Sequence, residues 1–414
     1  MISPKMKNIF TAISVSLLLV TANAQDAKSD MKAVVDYLAS DDLQGRETGT
    51  KAEKKAAKYL VKQFEAIGLE PKGEKGFYQD FTYTPKPNPH QAPSEQNKDY
   101  KPITGRNVIG FIDNGAEHTV ILGAHYDHLG MGGEGSRYTG EPAIHNGADD
   151  NASGVAMIIE LAKYLKENNK KHNYLILAFS GEEKGLWGSN YFMKNPTIDT
   201  SKISYMINFD MVGRLGASYK LMVYGTGTSP SFGWVLDKAN DPVMFHLLKK
   251  ESGVGPSDHT SFYLKGYPVL HFFTGQHDDY HKPSDDADKI NFDGMVLIAE
   301  FVEKVITDLD NIEQLTYRKT KDEDSHKAPK YSVTLGVVPD YLFDGVGMRI
   351  DGTSTDRPAD KAGMKAGDVV IKMGDVDVPD MMGYMKGLSS FKKGDTTDVV
   401  ILRDGKEMVM SVTF

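Results

Sequence analysis

Short apolar runs alternate with helix-like segments through the middle of the chain. The strand-like runs are residues 119–124 (TVILGA), 174–179 (YLILAF), 204–209 (SYMINF) and 269–273 (VLHFF). The helix-like segments are residues 153–165, 184–193, 230–239 and 292–309. Continuous apolar strands that alternate with helices are typical of a mostly parallel sheet buried on both faces. We therefore predict an α/β fold, in which helices flank both faces of a mostly parallel, mixed sheet.

The chain before the first strand-like run is predicted to be helical over residues 30–71. Six apolar side chains share one helix face: Ala56, Ala57, Leu60, Val61, Phe64 and Ile67. Gly68 follows at the position of a helix C-cap. Residues 84–104 are rich in Pro, Asn, Gln and Lys, which predicts a surface loop.

The pattern changes near the C-terminal end of the last helix-like segment. Residues 313–330 are predicted to be a linker, because residues 318–330 (RKTKDEDSHKAPK) are charged and nearly free of apolar side chains. Residues 331–414 contain several short apolar runs, and this length suffices for a small β-rich domain.

The first 24 residues have the pattern of a secretory signal peptide. Lys5 and Lys7 precede an apolar run over residues 9–20, which is too short to span a membrane comfortably. The small-residue site Ala22-Asn23-Ala24 follows. We predict cleavage of residues 1–24 and export to the periplasm or outside the cell. The first domain then covers residues 25–312.

Composition narrows the possible partners and chemistry. Of the 414 residues, 40% are hydrophobic and 25% are charged, which is typical of a folded globular chain. The formal net charge of −9 disfavours nucleic acid or an anionic membrane as the main partner. The lack of cysteine excludes disulfides, thiol nucleophiles and cysteine-type zinc fingers.

Potential metal ligands follow the predicted strands. They are His125 and Asp127 after the first, Glu182 and Glu183 after the second, Asp210 after the third, and His281 beyond the fourth. Asp149 and Asp150 precede a predicted helix. Ligands bind outside the carboxyl ends of the strands in open α/β sheets, so we expect these side chains to converge. Imidazole and carboxylate together suit zinc, and a bridging carboxylate permits a two-metal hydrolytic site.

Each of these residues also has an ordinary structural explanation. His125 alone could be a buried histidine, Asp149 and Asp150 a helix cap, and Glu182 and Glu183 charges at a helix start. The combination at several strand ends favours the metal site. A serine hydrolase is disfavoured, because neither Ser153 nor Ser180 lies in a G-x-S-x-G turn.

Six segments in order resemble the di-zinc exopeptidase family. They are GAHYDHLG (123–130), NGADDNASG (146–154), SGEEKGLWGS (180–189), NFDMVGR (208–214), SDHTSF (257–262) and YHKPSDD (280–286). That family includes secreted bacterial leucyl aminopeptidases, aminopeptidase Y, glutamate carboxypeptidase and glutaminyl cyclases. DDLQGRETGT (41–50) is similar to its N-terminal helical region.

The resemblance implies a ligand set for two Zn²⁺ ions. His125, Asp150 and Asp210 match the ligands of one zinc, and Asp150, Glu183 and His281 match those of the other. Asp150 is the implied bridge, because the family motif places the bridge directly before the Asn; Asp149 is the alternative.

The resemblance also implies the catalytic residues. Glu182 matches the general base that acts on a zinc-bound hydroxide, Asp127 matches the residue that orients His125, and Tyr280 stands where some members stabilise an oxyanion. His128, His145, His259 and His277 lie near the motifs, where we expect supporting or substrate-side positions. His271 is predicted to be a core histidine.

The implied activity is that of an aminopeptidase acting on peptide substrates. A carboxypeptidase or a glutaminyl cyclase on the same fold is an alternative, although cyclases of this family use one zinc. A non-catalytic binding protein, as the transferrin receptor shows the fold can become, is a further alternative. The presence of Glu182 and of every ligand position disfavours it.

The C-terminal domain resembles a PDZ domain of the bacterial protease type. Residues 334–337 (TLGV) are similar to the carboxylate-binding loop, residues 357–370 are the more specific match, and residues 380–391 would supply the groove helix. The resemblance implies that a peptide C-terminus or strand binds there. A structural β-module without a ligand remains the alternative.

Overall fold

A computed structural model describes residues 25–84, 101–133, 135–320, 333–339, 343, 345–353 and 357–414. The predicted signal peptide, most of the predicted 84–104 loop and most of the linker lie outside these residues. The chain divides into two compact units. The first unit consists of the described residues within Met1–Thr82, Thr104–Thr274 and Asp279–Arg318. The second unit consists of the described residues within Tyr83–Ile103, Gly275–Asp278 and Lys319–Phe414.

The strands are numbered in chain order. Those of the larger sheet are β1 (Glu70–Pro71), β2 (Tyr78–Tyr83), β3 (Ile103–Ile112), β4 (Thr119–His125), β5 (Asn173–Phe179), β6 (Ile203–Phe209), β7 (Lys220–Tyr224), β8 (His246–Lys249) and β9 (Val269–Phe273). Those of the C-terminal sheet are β10 (Val337–Pro339), β11 (Met348–Thr353), β12 (Val369–Met373), β13 (Val376–Asp377), β14 (Thr396–Arg403) and β15 (Lys406–Thr413).

The helices are numbered in the same way. They are α1 (residues 25–38), α2 (Lys51–Ile67), α3 (Gly154–Asn168), α4 (Trp187–Lys194), α5 (Pro230–Ala239), α6 (His259–Tyr263), α7 (Phe292–Leu309), α8 (Pro358–Lys361) and α9 (Met381–Ser389). Short 3₁₀ turns cover Asp41–Arg46, Thr200–Lys202 and Ala287–Lys289, and a wider helical turn covers Ala148–Ser153. None of the helices in the described ranges is long and apolar enough to cross a membrane.

The larger sheet is mixed and mostly parallel at its centre. Its order within the described residues is β1-β3-β5-β4-β6-β9-β7-β8, with β2 paired to β3. The pairs β5–β4, β4–β6 and β6–β9 are parallel, whereas β3 pairs antiparallel with β5 and β7 antiparallel with β9. The predicted fold class is confirmed. The strands near the two edges were not predicted, because they carry less continuous apolar sequence.

Alternate residues of the central strands enter two separate hydrophobic clusters. Val120 and Leu122 of β4 belong to one cluster, whereas Ile121 belongs to the other. Since side chains of a strand alternate between faces, the two clusters are the two faces of the sheet. Helices α1, α2, α3, α5 and α7 supply the larger cluster, and α4 and α6 supply the smaller one.

The predicted helical region over residues 30–71 is interrupted. The chain leaves α1, forms the Asp41–Arg46 turn with positive φ at its last three residues, and begins α2 only at Lys51. A Cβ at Gly45 would lie 2.5 Å from the carbonyl oxygens of Gly130 and His145, so the packing of this turn requires glycine. Thr50 caps α2 by accepting the N–H of Glu53 at 3.2 Å. The predicted C-cap Gly68 is confirmed, with φ 75° and ψ 36°.

The C-terminal sheet is antiparallel throughout its described pairs. Its order is β10-β11-β12-β14-β15, with β13 paired to β12. β14 and β15 form a hairpin in which Arg403 pairs with Lys406 across Asp404-Gly405. Both turn residues have positive φ, 52° and 74°, as a type I′ turn requires. Helix α9 falls within the segment predicted to form the groove helix.

Candidate metal centre

The parallel strands bring the predicted ligands to one edge of the sheet. β4 ends at His125, Asp210 directly follows β6, and Glu183 follows β5. Because His125 pairs with Phe179 and Gly123 pairs with Asn208, the three strands end at nearly the same level. Asp150 lies between β4 and α3, and its carboxylate reaches the same place.

The first cluster contains His125, Asp150 and Asp210. His125 Nε2 lies 3.3 Å from Asp150 Oδ1 and 3.4 Å from Asp210 Oδ1. All three residues offer ligand atoms close enough together for one metal ion. Asp210 is held from behind by Ser257, whose hydroxyl donates to Asp210 Oδ2 at 2.7 Å.

The second cluster shares Asp150. His281 Nε2 lies 3.1 Å from Asp150 Oδ2 and 3.2 Å from Glu183 Oε2. The two oxygens of Asp150 therefore face two different histidines, which is the arrangement expected of a bridging carboxylate. Asp149 points elsewhere, because its Oδ1 accepts the Gly213 N–H at 2.6 Å.

Hydrogen bonds fix the tautomers of the two histidines. His125 Nδ1 donates to the main-chain carbonyl of Asp127 at 3.2 Å, and His281 Nδ1 donates to the carbonyl of Gly135 at 2.7 Å. A neutral imidazole that donates from Nδ1 carries its lone pair on Nε2, which is the atom a metal binds. Both Nε2 atoms face the carboxylates.

Asp127 touches His125 chiefly through its main chain. Its carboxylate Oδ1 is 3.7 Å from His125 Nδ1. The same carboxylate accepts the Thr48 hydroxyl at 2.8 Å and the Glu182 N–H at 3.2 Å. Asp127 therefore connects the turn at the end of β4 with the turn that carries Glu182.

His128 has a larger part in the site than its sequence position indicated. Its Nδ1 lies 2.7 Å from Glu183 Oε1 and 4.0 Å from Asp150 Oδ2. It supports Glu183, and it is also close enough to these two carboxylates to be a ligand itself. The sequence signal was its place three residues after His125, on the loop leaving the same strand.

The adjacent glutamates Glu182 and Glu183 have opposite pKa shifts. Burial raises the pKa of Glu182 well above its ordinary value, and the nearby Asp210 raises it further. Burial also raises the pKa of Glu183, but His281 and His128 outweigh it, so that the net pKa is lowered. Pairs of acids whose environments separate their pKa values are typical of acid–base sites.

The donor set fits zinc. Three carboxylates and two imidazoles meet with little access to water, and buried carboxylates are normally paired with cationic side chains or coordinate metal ions. Within the described residues, the buried Nε2 atoms of His125 and His128 have no hydrogen-bond partner. Nitrogen and carboxylate oxygen together, without sulfur, are ligands that zinc accepts.

The sequence of this unit matches a known family over residues 107–306, described as Peptidase family M28. The matched range contains every predicted ligand and Glu182. Residues 107–306 belong to peptidase family M28. Residues 335–414 match the PDZ domain family.

Curated relatives of the M28 domain include two kinds of protein. The chain is 30% identical over 169 residues to the alkaline phosphatase isozyme conversion protein of Escherichia coli, covering 40% of this chain and 46% of that protein. It is 27% identical over 218 residues to a probable leucine aminopeptidase of Arthroderma otae, covering 47% of this chain and 54% of that protein. The chain thus spans about half the length of these relatives.

Solved structures share the fold of the M28 domain. A zinc aminopeptidase from Bacillus subtilis has a TM-score of 0.53 at 17% identity, covering 71% of this chain and 96% of that one. A glutaminyl cyclase from Porphyromonas gingivalis has a TM-score of 0.54 at 19% identity, covering 69% and 98%.

Tyr280 lies beside the second cluster of the M28 domain. Its ring stacks on the imidazole of His281, with centroids 3.8 Å apart. The guanidinium of Arg137 lies 5.7 Å from the Tyr280 ring, and the Arg137 N–H donates to the His281 carbonyl at 2.9 Å. The loop over residues 135–138 therefore packs against the segment that carries Tyr280 and His281.

Asp258 and two histidines line the buried side of the M28 site. Burial raises the pKa of Asp258 to about 7. His259 stacks on His271 with centroids 4.5 Å apart, and burial lowers the pKa of His271 to about 4. Burial and the neighbouring His271 also lower the pKa of His259, so both rings are neutral near pH 7. His271 is 2% exposed, as expected for a core histidine.

Proposed function

We propose that this protein is an exported aminopeptidase that binds two Zn²⁺ ions per chain and removes N-terminal residues from peptides. The observation that carries the proposal is the position of Asp150, whose two carboxylate oxygens face His125 and His281 at 3.3 and 3.1 Å. Asp210 and Glu183 complete the two ligand sets. The names of the aminopeptidase relatives support the choice of substrate class.

The residues present divide the work of hydrolysis. Bound zinc would supply a Lewis acid, which lowers the pKa of water and stabilises negative charge on an attacked carbonyl. His125, Asp150, Asp210, Glu183 and His281 would hold it. Glu182 would take the proton of the attacking water and return it to the departing amine.

Two further side chains would assist hydrolysis, one by holding the general base and the other by stabilising the oxyanion. Asp127 accepts the main-chain N–H of Glu182 and so holds the general base in place. Tyr280 would donate a hydrogen bond to the oxyanion, because its ring lies against His281.

The proposal is tested by metal analysis and substrate class together. Purified protein should carry about two zinc ions per chain. It should cleave aminoacyl anilides, leave their N-acetylated forms intact, and lose activity on chelation until zinc is returned. Cleavage from the C-terminus would indicate a carboxypeptidase, and ring closure of N-terminal glutamine would indicate a cyclase. Full turnover in metal-free protein would contradict the proposal.

Export is a separate part of the proposal. It is supported by the pattern of Lys5, Lys7 and the Ala22-Asn23-Ala24 site. Mass spectrometry of the protein from its native cell should find a chain beginning at Gln25. A cytoplasmic chain that still begins at Met1 would contradict export.

We also propose that the PDZ domain binds a peptide C-terminus. β10 is an edge strand of its sheet, and edge strands accept an added strand through main-chain hydrogen bonds. A fluorescent peptide with a free C-terminal carboxylate should bind, and its C-terminal amide should bind less tightly. Equal binding of both peptides would argue against carboxylate recognition.

A further inference from the structure

Arg46 is a fully buried arginine whose guanidinium hydrogen bonds all go to main-chain carbonyls. Its Nε donates to Tyr126 at 2.7 Å, its Nη1 to Leu38 at 2.9 Å and to Asn146, and its Nη2 to Gly147 at 2.7 Å and Asp150 at 3.5 Å. These bonds employ all five N–H donors of the side chain. Such an arrangement fixes several peptide groups at once.

The carbonyls that bind Arg46 flank the predicted metal ligands. Tyr126 stands between His125 and Asp127. Asn146, Gly147 and Asp150 belong to the segment that delivers the bridging carboxylate. One side chain therefore links the end of β4 to the Asp150 segment.

Asp285 binds the same segment through its amides. Its carboxylate accepts the Asp149 N–H at 3.1 and 3.2 Å and the Asp150 N–H at 3.1 Å. Its main-chain carbonyl accepts the Ala148 N–H at 3.0 Å. Asp285 is completely buried and follows His281 by four residues, so it also ties this segment to the second histidine.

Arg46 and Asp285 are both buried and carry opposite charges. Burial lowers the pKa of Arg46 to about 10, while the charges of Asp150, Asp127, Asp285 and Glu183 oppose that shift. Arg46 therefore stays protonated near pH 7.

We propose that Arg46 and Asp285 are positioning residues that clamp the Asp150 segment between them, Arg46 through carbonyls and Asp285 through amides, and so set the affinity of both metal positions. This inference rests on the proposed two-zinc function. The bridging carboxylate belongs to both ligand sets, so a displaced segment weakens both metals, whereas loss of Glu183 weakens one.

The test measures zinc affinity rather than turnover. Arg46→Gln, Arg46→Lys and Asp285→Asn are compared with wild type by competition with a chromophoric zinc chelator. We expect Arg46→Gln and Asp285→Asn to lose about 10–100-fold in affinity, as is usual for residues that support metal ligands. The zinc affinity of Arg46→Lys should lie between those of wild type and Arg46→Gln, because lysine keeps the positive charge but has three N–H donors instead of five. The visible spectrum of cobalt-loaded Arg46→Lys should shift relative to wild type.

A buried carboxylate elsewhere in the same unit serves as the control. Asp310 accepts hydrogen bonds from His172, Asn169 and Tyr174 at the opposite end of β5 from Glu183. Asp310→Asn should lower the stability of chelator-treated protein and leave zinc affinity per folded chain unchanged. The double variant Arg46→Gln/Asp285→Asn should lose less affinity than the two single losses combined, because both act on one segment.

The outcomes separate this inference from the proposed function. Wild-type protein that binds no zinc would refute the metal proposal itself. Wild type that binds two zinc ions, with Arg46 and Asp285 variants that bind them as tightly, would overturn the clamp alone. If Arg46→Gln does not fold, Arg46→Lys and Asp285→Asn decide the question by the same measurement.

Discussion

Glu182 and Glu183 show how neighbouring residues acquire different chemistry. Glu183 contacts His281 and His128, whereas Glu182 contacts Asp127 through its main chain. Burial raises the pKa of Glu182, and burial together with the charges of Asp210 and Asp258 outweighs the nearby His125, which lowers it. A proton acceptor needs such a raised pKa, and a metal ligand needs the charged form.

The first prediction separates the base from the ligand. Glu182→Gln keeps the shape of the side chain but removes the basic oxygen, so turnover should fall by about 10²–10⁴ while zinc content and melting temperature stay close to wild type. Glu183→Gln should instead weaken one metal and lower the stability of the zinc-loaded protein. Steady-state kinetics, metal analysis and thermal melts on both variants provide the measurements.

Two results would contradict this assignment. Loss of zinc from Glu182→Gln, with two zinc ions kept by Glu183→Gln, would reverse the roles. Wild-type turnover in Glu182→Gln would exclude it as the general base.

Glu53 is a buried carboxyl that the proposed chemistry does not use. It accepts the Ser180 hydroxyl at 2.6 Å and the N–H groups of Gly49 and Arg106 at 2.8 and 3.0 Å. Burial raises its pKa from 4.5 to about 7. The folded protein therefore holds this proton more tightly than the unfolded chain does. The resulting stability is present below the unfolded pKa and is lost as the pH rises through the folded pKa.

The second prediction follows from that sign. Glu53→Gln cannot ionise, so its stability relative to wild type should improve by up to about 3 kcal/mol between about pH 4.5 and about pH 8. Urea unfolding with a chelator present measures this difference. Glu65→Gln, which removes an exposed carboxylate from the same helix, corrects for the change in net charge. If the difference in free energy of unfolding between wild type and Glu53→Gln did not change with pH, the raised pKa of Glu53 would be contradicted.

At the scale of elements, glycines with different backbone conformations should respond oppositely to alanine. Gly68 ends α2 with φ 75°, and the nearest atom to an added Cβ is a Lys166 side-chain carbon at 3.5 Å. Only the backbone opposes alanine there. Gly233 lies inside α5, where no atom is within 4 Å of an added Cβ.

The third prediction pairs these two substitutions. Gly68→Ala should lower the free energy of unfolding by about 1–2 kcal/mol, because the left-handed conformation is unfavourable for a residue with a Cβ. Gly233→Ala should raise it by about 0.5–1 kcal/mol, because glycine is a poor helix former. Urea midpoints of the two variants, compared with wild type, should move in opposite directions. If both midpoints moved in the same direction, packing rather than backbone preference would determine the effect of alanine at these positions.

The chain after α7 bears on the organisation of the whole molecule. His172 Nε2 donates to the Glu313 carbonyl at 2.9 Å, and the Leu315 N–H donates to the Ser204 hydroxyl at 3.2 Å. The Arg318 N–H donates to the Thr228 carbonyl at 2.7 Å. The residues up to Arg318 therefore pack on the first unit, although their sequence resembles a linker.

The fourth prediction concerns truncation. A chain that ends near Lys321 keeps these bonds, so it should stay folded, retain zinc and cleave small aminoacyl substrates. Turnover of longer peptides should change if the PDZ domain recruits them. A chain that ends at Ile312 loses these contacts and should melt at a lower temperature. Insoluble or inactive protein from the longer truncation would show that the PDZ domain is structural.

Local patterns in the sequence were sufficient for the central elements. α5, α7 and β9 have the predicted bounds, and β4, β5 and β6 are each one residue longer than predicted, at one end. They are recognisable because central strands buried on both faces carry continuous apolar residues. The predicted ligands were recognisable because they follow these strands, and parallel strands end at one edge.

Other features required the tertiary structure. The break between α1 and α2 depends on the close approach of Gly45 to Gly130 and His145, far away in sequence. The place of His128 beside Glu183 depends on loop paths that no local pattern specifies. Arg46 and Asp285 bind main-chain N–H and C=O groups. Almost every residue type carries these groups, so the sequence does not show which residues Arg46 and Asp285 will contact. Sequence thus determined which strands the predicted ligands follow, whereas long-range packing decided which side chains bind the main chain beside them.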